Sequence, residues 1–165
     1  MNAWYLIYSK PKGENLAREH LERQGYQTYL PLAPVIRRRR GKAIRVIEPM
    51  FPRYLFIYLS DETDDWRPIR STIGVSSLVR FGQVPVSLPD SLIKELKSRE
   101  NEEGIQQLPE KSYSGGERVK IVEGPFQDYE AIYQCKTGKQ RVSLLLKIAE
   151  HAVEIRIQKD QIEPL

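Results

Sequence analysis

The sequence predicts an α+β protein: an N-terminal αβ domain with an antiparallel sheet over residues 1–99, a linker at 100–114 and a small C-terminal module at 115–165. Three observations carry this. Residues 1–99 alternate between segments of strand period and segments of helix period, with Gly-containing turns between candidate strand neighbours. The stretch from Arg99 to Ser114 is polar, is interrupted by Gly104 and Pro109, and offers few residues that could anchor a core. Beyond it, Val119, Ile121, Ala131 and Tyr133 resume an alternating apolar pattern around Glu123-Gly124-Pro125, where Gly permits a turn and Pro removes a ladder donor.

Trp4–Tyr8 reads as the first strand. Pro11 suits an early helical position, and a helix from there through Gln24 ends at Gly25, with Leu16, Ala17 and Leu21 as its apolar face. Val35–Arg39 and Ala43–Ile47 flank Arg40-Gly41-Lys42 as a hairpin. Tyr54–Leu59 is a continuous aromatic and aliphatic strand, and Trp66–Thr72 reads as a short helix. Ser77–Phe81 and Val84–Val86 bracket Gly82 as another hairpin, and Pro89 opens a helix carrying Leu92, Ile93 and Leu96.

The C-terminal module supports two periods. Val142, Leu144, Leu146, Ile148 and Val153, Ile155, Ile157 alternate as barrel strands would. Yet Gln140 to Glu163 contains no Gly or Pro where a hairpin turn should fall, and Leu145, Ile148, Ala152 and Ile155 recur at helical spacing. Phe126–Thr137 likewise lacks breakers, and Gly138 could close a turn between two helices. A helical hairpin is slightly favoured over a small β-barrel.

At 165 residues the chain holds one ordinary domain or two small ones. Its single cysteine, Cys135, leaves no intramolecular disulfide framework and fits a reducing cytosol. The chain opens directly on Trp4-Tyr5-Leu6-Ile7-Tyr8, so neither a secretion signal nor a membrane span is expected, and a cytoplasmic location is. The net charge of +4 is unevenly placed: residues 1–53 hold 11 Lys/Arg against 4 Asp/Glu. A basic first third suggests a local polyanion contact, and a merely solvated basic surface is the alternative. His20 and His151 lie far apart, Cys135 has no flanking Cys or His, and no Gly-rich phosphate loop is present. The reading is of a protein that is not an enzyme and uses no cofactor or metal.

Several stretches together resemble the NusG family of transcription factors. They are Trp4-Tyr5-Leu6, His20-Leu21-Glu22-Arg23-Gln24, Arg40-Gly41-Lys42, Glu48-Pro49-Met50-Phe51-Pro52-Arg53-Tyr54-Leu55-Phe56, Gly74-Val75-Ser76 and Val79-Arg80-Phe81-Gly82. Gly115–Tyr133 in turn resembles the KOW motif of small barrels that work on transcription complexes, ribosomes and RNA. Within the family the closer resemblance is to the RfaH-type paralogues, operon-specific elongation and antitermination factors that reduce pausing and couple transcription to translation. A general NusG-like factor without sequence preference, and a ribosome- or RNA-binding KOW protein, are the alternatives.

The resemblance implies roles for particular residues. Lys10, His20, Arg23, Gln24 and Thr72 would touch the non-template single strand in the transcription bubble; His20, Arg23 and Gln24 fall within an arc of about 100° on the first helix, and an ordinary solvated face is the alternative. Tyr8, Tyr54, Phe56 and Phe81 would form an apolar patch that grips the clamp helices of the polymerase β′ subunit, against the alternative that they are simply core. Glu48 and Arg141 would form an interdomain ion pair, with Leu144, Leu145 and Leu146 packing beside it, to hold the C-terminal module over that patch. Once released, the module would refold as a barrel and recruit a ribosomal small-subunit protein. Arg40, Lys42, Arg67 and Arg70 are further candidate DNA contacts, and the basic cluster Arg37–Lys42 equally suits an edge charged against strand pairing. The chain departs from the RfaH pattern at Ile73, where that pattern has Arg, and at Asp65-Trp66-Arg67, where it has the His-Thr-Thr linked to a second contact on the polymerase β subunit. A monomer is expected.

Overall fold

The computed structural model describes residues 2–108 and 125–162. Strand β1 (Asn2–Ser9) is central in a five-stranded antiparallel sheet. It pairs along its length with β5 (Tyr54–Ser60), and on its other edge with β6 (Val75–Leu78) and β9 (Ser87–Leu88). The short β2 (Gln27–Tyr29) pairs with β5 on the outside.

Both faces of this sheet are covered, which is why β1 and β5 read as continuous apolar runs. On one face Tyr5, Ile7, Leu55, Ile57 and Leu59 pack with Ala17 and Leu21 of helix α1 (Glu14–Arg23). On the other, Trp4, Leu6 and Phe56 pack with Leu92, Ile93 and Leu96 of α2 (Asp90–Ser98) and with the C-terminal helices. Successive side chains alternate between the two cores, as the pleat requires.

The first helix begins at Glu14, not at Pro11: a turn closed by the Gly13 amide on the Lys10 carbonyl (2.8 Å), with Lys12 at φ 57°, precedes it. Its buried positions are Glu14, Ala17 and Leu21, whereas Leu16 points outward and is 44% exposed. Strands β3 (Leu32–Arg39) and β4 (Lys42–Pro49) form a separate two-stranded ribbon. Its turn residues Arg40 and Gly41 have φ of 53° and 75°, the pair of positive angles that a two-residue hairpin of matching twist needs. Strands β7 (Arg80–Phe81) and β8 (Val84–Pro85) form the second expected hairpin, and Pro89 caps α2 as expected.

Trp66–Thr72 is not a helix but a run of turns. Asp65 accepts from the Arg67 amide (3.0 Å), and the hydroxyls of Ser71 and Thr72 both donate back to the Pro68 carbonyl, at 3.1 and 2.8 Å. Such side-chain bonds compete with a helical ladder. The expected tether also differs over 99–108. It folds back on the body: the Gln106 amide donates to Leu32 (2.8 Å), the Gln107 amide to Arg99 (2.9 Å), and the Gln106 side chain is buried. The rest of the expected linker, 109–114, and the first half of the KOW-like stretch with its Val119 and Ile121, lie outside the described residues.

The C-terminal module is a helical hairpin of α3 (Pro125–Gln134) and α4 (Gly138–Ile162). Ala131 and Tyr133 are therefore helical, as is the alternating stretch from Val142 to Ile157. A capping box starts α4: Thr137 Oγ1 accepts from the Gln140 amide (3.1 Å), and Gln140 Oε1 accepts from the amides of Lys136 (3.0 Å) and Thr137 (3.3 Å). A Cβ on Gly138 would lie 2.6 Å from Pro52 Cγ, so only glycine lets α4 begin this close to the body. Leu145 and Ile148 face the core as the helical spacing predicts, but Ala149 and Val153 complete the buried stripe, and Ile155 is 42% exposed.

Candidate functional site

Because directly paired residues share a face, the register of β1 on β5 sets Trp4 beside Tyr58, Leu6 beside Phe56, and Tyr8 beside Tyr54. One sheet face therefore carries five aromatic side chains and a leucine. Trp4 and Tyr58 have ring centroids 5.1 Å apart, Tyr8 and Tyr54 also 5.1 Å, and Phe51 meets Phe56 edge-on at 6.0 Å. Phe81, from the β7–β8 hairpin, packs against the same core. The structure thus brings Tyr8, Tyr54, Phe56 and Phe81 to one side. Phe56 is fully buried, and the other three are partly exposed. Arg53, at φ 73°, lays its guanidinium 4.1 Å from the Tyr8 ring centre while donating through Nε and Nη2 to the Ser9 carbonyl.

The helical hairpin covers this face. Tyr129, Ile132 and Tyr133 from α3 and Leu145, Ile148, Ala149 and Val153 from α4 are buried in the same core as Trp4, Leu6, Phe51 and Phe56. Leu145 is fully enclosed, whereas Leu144 and Leu146 are half-buried at its margins.

The expected ion pair between Glu48 and Arg141 is not the contact made. Glu48 binds Arg37 across the ribbon, Oε1 to Nε at 2.9 Å and Oε2 to Nη2 at 2.6 Å, and this guanidinium holds the Glu48 carboxyl below its ordinary range. Arg141 is 3% exposed and donates instead to two carbonyls, Met50 at 2.8 Å and Cys135 at 3.4 Å. Burial lowers the pKa of its guanidinium. The physical reason lies in the register: Arg37 and Glu48 share a ribbon face, so the nearer cation takes the carboxylate.

A polar cluster sits at the far end of α1. Gln24 Nε2 donates to Thr72 Oγ1 (2.8 Å) and to the His20 carbonyl (3.1 Å), tying the helix end to the turn that bears Thr72. The Lys10 amide donates to Gly74 (2.9 Å), which brings Lys10 to the same loop. Arg23 is exposed beside it and paired with Glu19 at 2.5 Å. Gln24 and Thr72 are thus joined directly, Lys10 meets the adjacent Gly74 through its backbone at the start of α1, and Ile73 between Thr72 and Gly74 is 58% exposed. Arg40 and Lys42 stand apart at the ribbon tip, with exposed Ile36, Ile44 and Ile47 along the strands behind them. Arg67 is held by Asp65 (Nε–Oδ1 3.0 Å, Nη2–Oδ2 2.9 Å), which pulls the Asp65 carboxyl down to about 2, while Arg70 is exposed. Trp66 in the same turn donates to the Ser60 carbonyl and packs edge-on against Tyr5. Sequence reasoning missed Phe51 and Met50 as floor residues of the aromatic face, and missed Arg99 and Gln106 altogether. Only the Glu48–Phe56 stretch signalled the first two.

A family model described as transcription termination factor nusG matches residues 2–97. The chain is 24% identical over 177 residues to the transcription termination/antitermination protein NusG of Thermus thermophilus, covering 96% of each. It is 27% identical over 176 residues to the protein of the same name from Helicobacter pylori, covering 100% of this chain and 99% of the other. A solved structure entitled "Domain interaction in Thermotoga maritima NusG" aligns with 77% of the chain at a TM-score of 0.44 and 24% identity. The family model spans more than half of the chain, including the sheet and both helices that flank it, so the chain belongs to the NusG family.

Proposed function

We propose that this protein is a transcription elongation and antitermination factor of the RfaH type, held in check by its own C-terminal helices. The observation that carries the reading is the cover that α3 and α4 place over the aromatic face, with Phe56 fully buried and Tyr54 partly so. An apolar face of this kind marks a protein interface, and left open it is a liability. In this reading it grips the clamp helices of the polymerase β′ subunit once the hairpin has moved away. The names of the relatives support the broader class, and they favour a general NusG-like factor as the second reading.

Lys10, His20, Arg23, Gln24 and Thr72 touch the non-template strand in the same proposal. Lysine and arginine secure phosphate, while Gln24 and His20 offer donors to base edges. Arg40, Lys42 and Arg70 add phosphate contacts. Arg67 is already paired with Asp65, so the β-subunit contact of the family is not assigned to this turn. The released helices refold as a KOW-type barrel that takes a ribosomal small-subunit protein; the two packings then differ by only a few kcal/mol. Residues 1–99 serve as body and 115–165 as switching module in that scheme, with 100–114 joining them and its first part, through Leu108, docked on the body.

The test is recruitment of the full chain to a transcribing polymerase stalled on bubbles of varied non-template sequence at fixed salt. Recruitment at one sequence element, strengthened when Leu145→Ala loosens the cover, supports the proposal. Equal recruitment at every sequence with no gain from that variant favours the general factor.

A further inference from the structure

Beside the bonds of Arg141 to the Met50 carbonyl and of Ser91 to Tyr129, the seam between body and hairpin is crossed by two polar contacts from the segment that joins them, Arg99 to Glu130 and Gln106 to Tyr133. We infer that Arg99 and Gln106 form a clasp that locks the helical hairpin onto the body in one register. The inference deepens the proposed reading by naming the lock, and it rests on that reading only for what the lock controls.

Gln106 is 1% exposed, and its amide is engaged at both ends. Nε2 donates to the Leu96 carbonyl (2.7 Å) and to Tyr29 Oη (3.2 Å), both on the body. Oε1 accepts from Tyr133 Oη on α3 at 2.8 Å. Tyr29 in turn donates to the Glu100 carboxylate. The donors therefore run in one direction, from Tyr133 through Gln106 and Tyr29 to a carboxylate, and a chain of this kind strengthens each of its members. Burial, the largest cause, and the neighbouring carboxylates raise the pKa of both phenols, so both remain protonated donors through the physiological range.

Arg99 makes the second bridge. Its Nε binds Glu95 of α2 at 2.9 Å, its Nη2 binds Glu130 of α3, and its guanidinium carbon lies 4.0 Å from the centre of the Tyr133 ring. Arg99 and both carboxylates are only partly exposed, so these bonds are less screened than surface pairs.

The segment bearing these residues is itself fixed to the body. The Asn101 amide donates to Ile105 (2.8 Å), Asn101 Oδ1 accepts from the amides of Glu103 (2.9 Å) and Ile105 (3.0 Å), and Ile105 pairs with Leu32 at the root of the ribbon. If the hairpin leaves, Gln106 keeps Leu96 and Tyr29, and Arg99 keeps Glu95. Of the contacts made by these two residues, those with Tyr133 and Glu130 are lost. The clasp therefore stays formed on the body, ready to recapture α3. Apolar burial favours docking in any orientation that hides Tyr133 and Leu145, whereas these two bonds accept one rotation of α3 and one position along it. The Glu48–Arg141 pair does not fill this role, since Glu48 is taken by Arg37.

The experiment is a charge swap read by amide hydrogen exchange of the full chain. Arg99→Glu and Glu130→Arg should each speed exchange of peptides in 127–153 about tenfold, which corresponds to about 1.4 kcal/mol, with β1 peptides unchanged. The double variant should return exchange to within about threefold of the parent. Singles that leave exchange unchanged, or a double variant no slower than either single, would overturn the clasp. If Arg99→Glu also loosens β1, Tyr133→Phe removes only the hydroxyl that Gln106 accepts. It should still speed exchange of the hairpin peptides several-fold, and no change there would equally overturn the inference. Polymerase recruitment of the same variants separates the two claims: fast hairpin exchange without any polymerase binding leaves the clasp standing and removes the proposed function.

Discussion

Leu145→Ala isolates the seam between hairpin and body. Leu145 is fully enclosed by a core that includes Trp4, Leu6, Phe56 and Leu92 of the body, so the substitution removes three buried carbons from the interface. Leucine-to-alanine changes in closed cores cost about 2–5 kcal/mol, rising with the cavity that remains. This cavity opens on a seam whose walls can approach one another, which places the expected loss at about 2–3 kcal/mol. Alanine is as good a helix former as leucine, so α4 itself is not weakened. If the hairpin opens as a unit without unfolding the sheet, its opening constant rises about 30- to 150-fold, at 1.4 kcal/mol per factor of ten. Amide exchange followed by mass spectrometry reads this directly: peptides within 127–153 should exchange faster by that factor, and those of β1 and β5 should not change. Equal acceleration of β1 and hairpin peptides would refute the reasoning, because body and hairpin would then unfold as one cooperative body. So would an unchanged hairpin.

Other perturbations follow from the same contacts. Gly138→Ala sets a methyl group against the Pro52 ring; hairpin peptides should exchange faster than in the parent, while the melting of the sheet moves little. Asp65, held at about 2 by the Arg67 guanidinium against an ordinary 3.8, contributes stability that is fully present above pH 3.8 and lost as pH falls through about 2. An NMR titration should find the low midpoint, and Arg67→Ala should return it to the ordinary carboxylate range. Arg37→Ala should likewise raise the Glu48 midpoint, because the pair with Arg37 is the main cause of its depression. Gln24→Ala removes the tie between α1 and Thr72; it should lower recruitment to a preferred bubble sequence by about 5- to 150-fold, the range of one good base contact, and leave binding to scrambled bubbles intact.

Much of the body was legible because burial on both faces leaves a strong trace. Tyr54–Leu59 is apolar without interruption, which a strand can be only when both its faces are covered. Pro89, Gly25 and Arg40-Gly41 marked real boundaries, since each answers a local backbone need. Trp66–Thr72 misled because the bonds of its hydroxyls and of Asp65 to nearby backbone set turns in place of a helix. The segment 99–108 misled for a different reason. Its composition is that of a tether, and Gln106 is buried only because Leu96, Tyr29 and Tyr133 converge on it from distant parts of the chain.

The C-terminal module carried both periods, and one local signal that bears on the choice went unused. Thr137-Gly138-Lys139-Gln140 spells a capping box, a helix start that a barrel turn does not require. The remainder is tertiary. The stripe of Leu145, Ala149 and Val153 is buried only because the aromatic face is there to receive it. The candidate DNA contacts were readable as a list of residues, but the bond from Gln24 to Thr72, 48 positions away, was not. Nor was the loss of the Glu48–Arg141 pair, which depended on Arg37 sharing the ribbon face with Glu48.

The central claim is that the C-terminal segment rests as helices on the aromatic face. Backbone carbon chemical shifts of residues 127–155 in the intact chain test it most directly. The account predicts helical shifts throughout α3 and α4, broken only at Cys135–Thr137. Strand-like shifts across Val142–Ile155 in the free protein would contradict it.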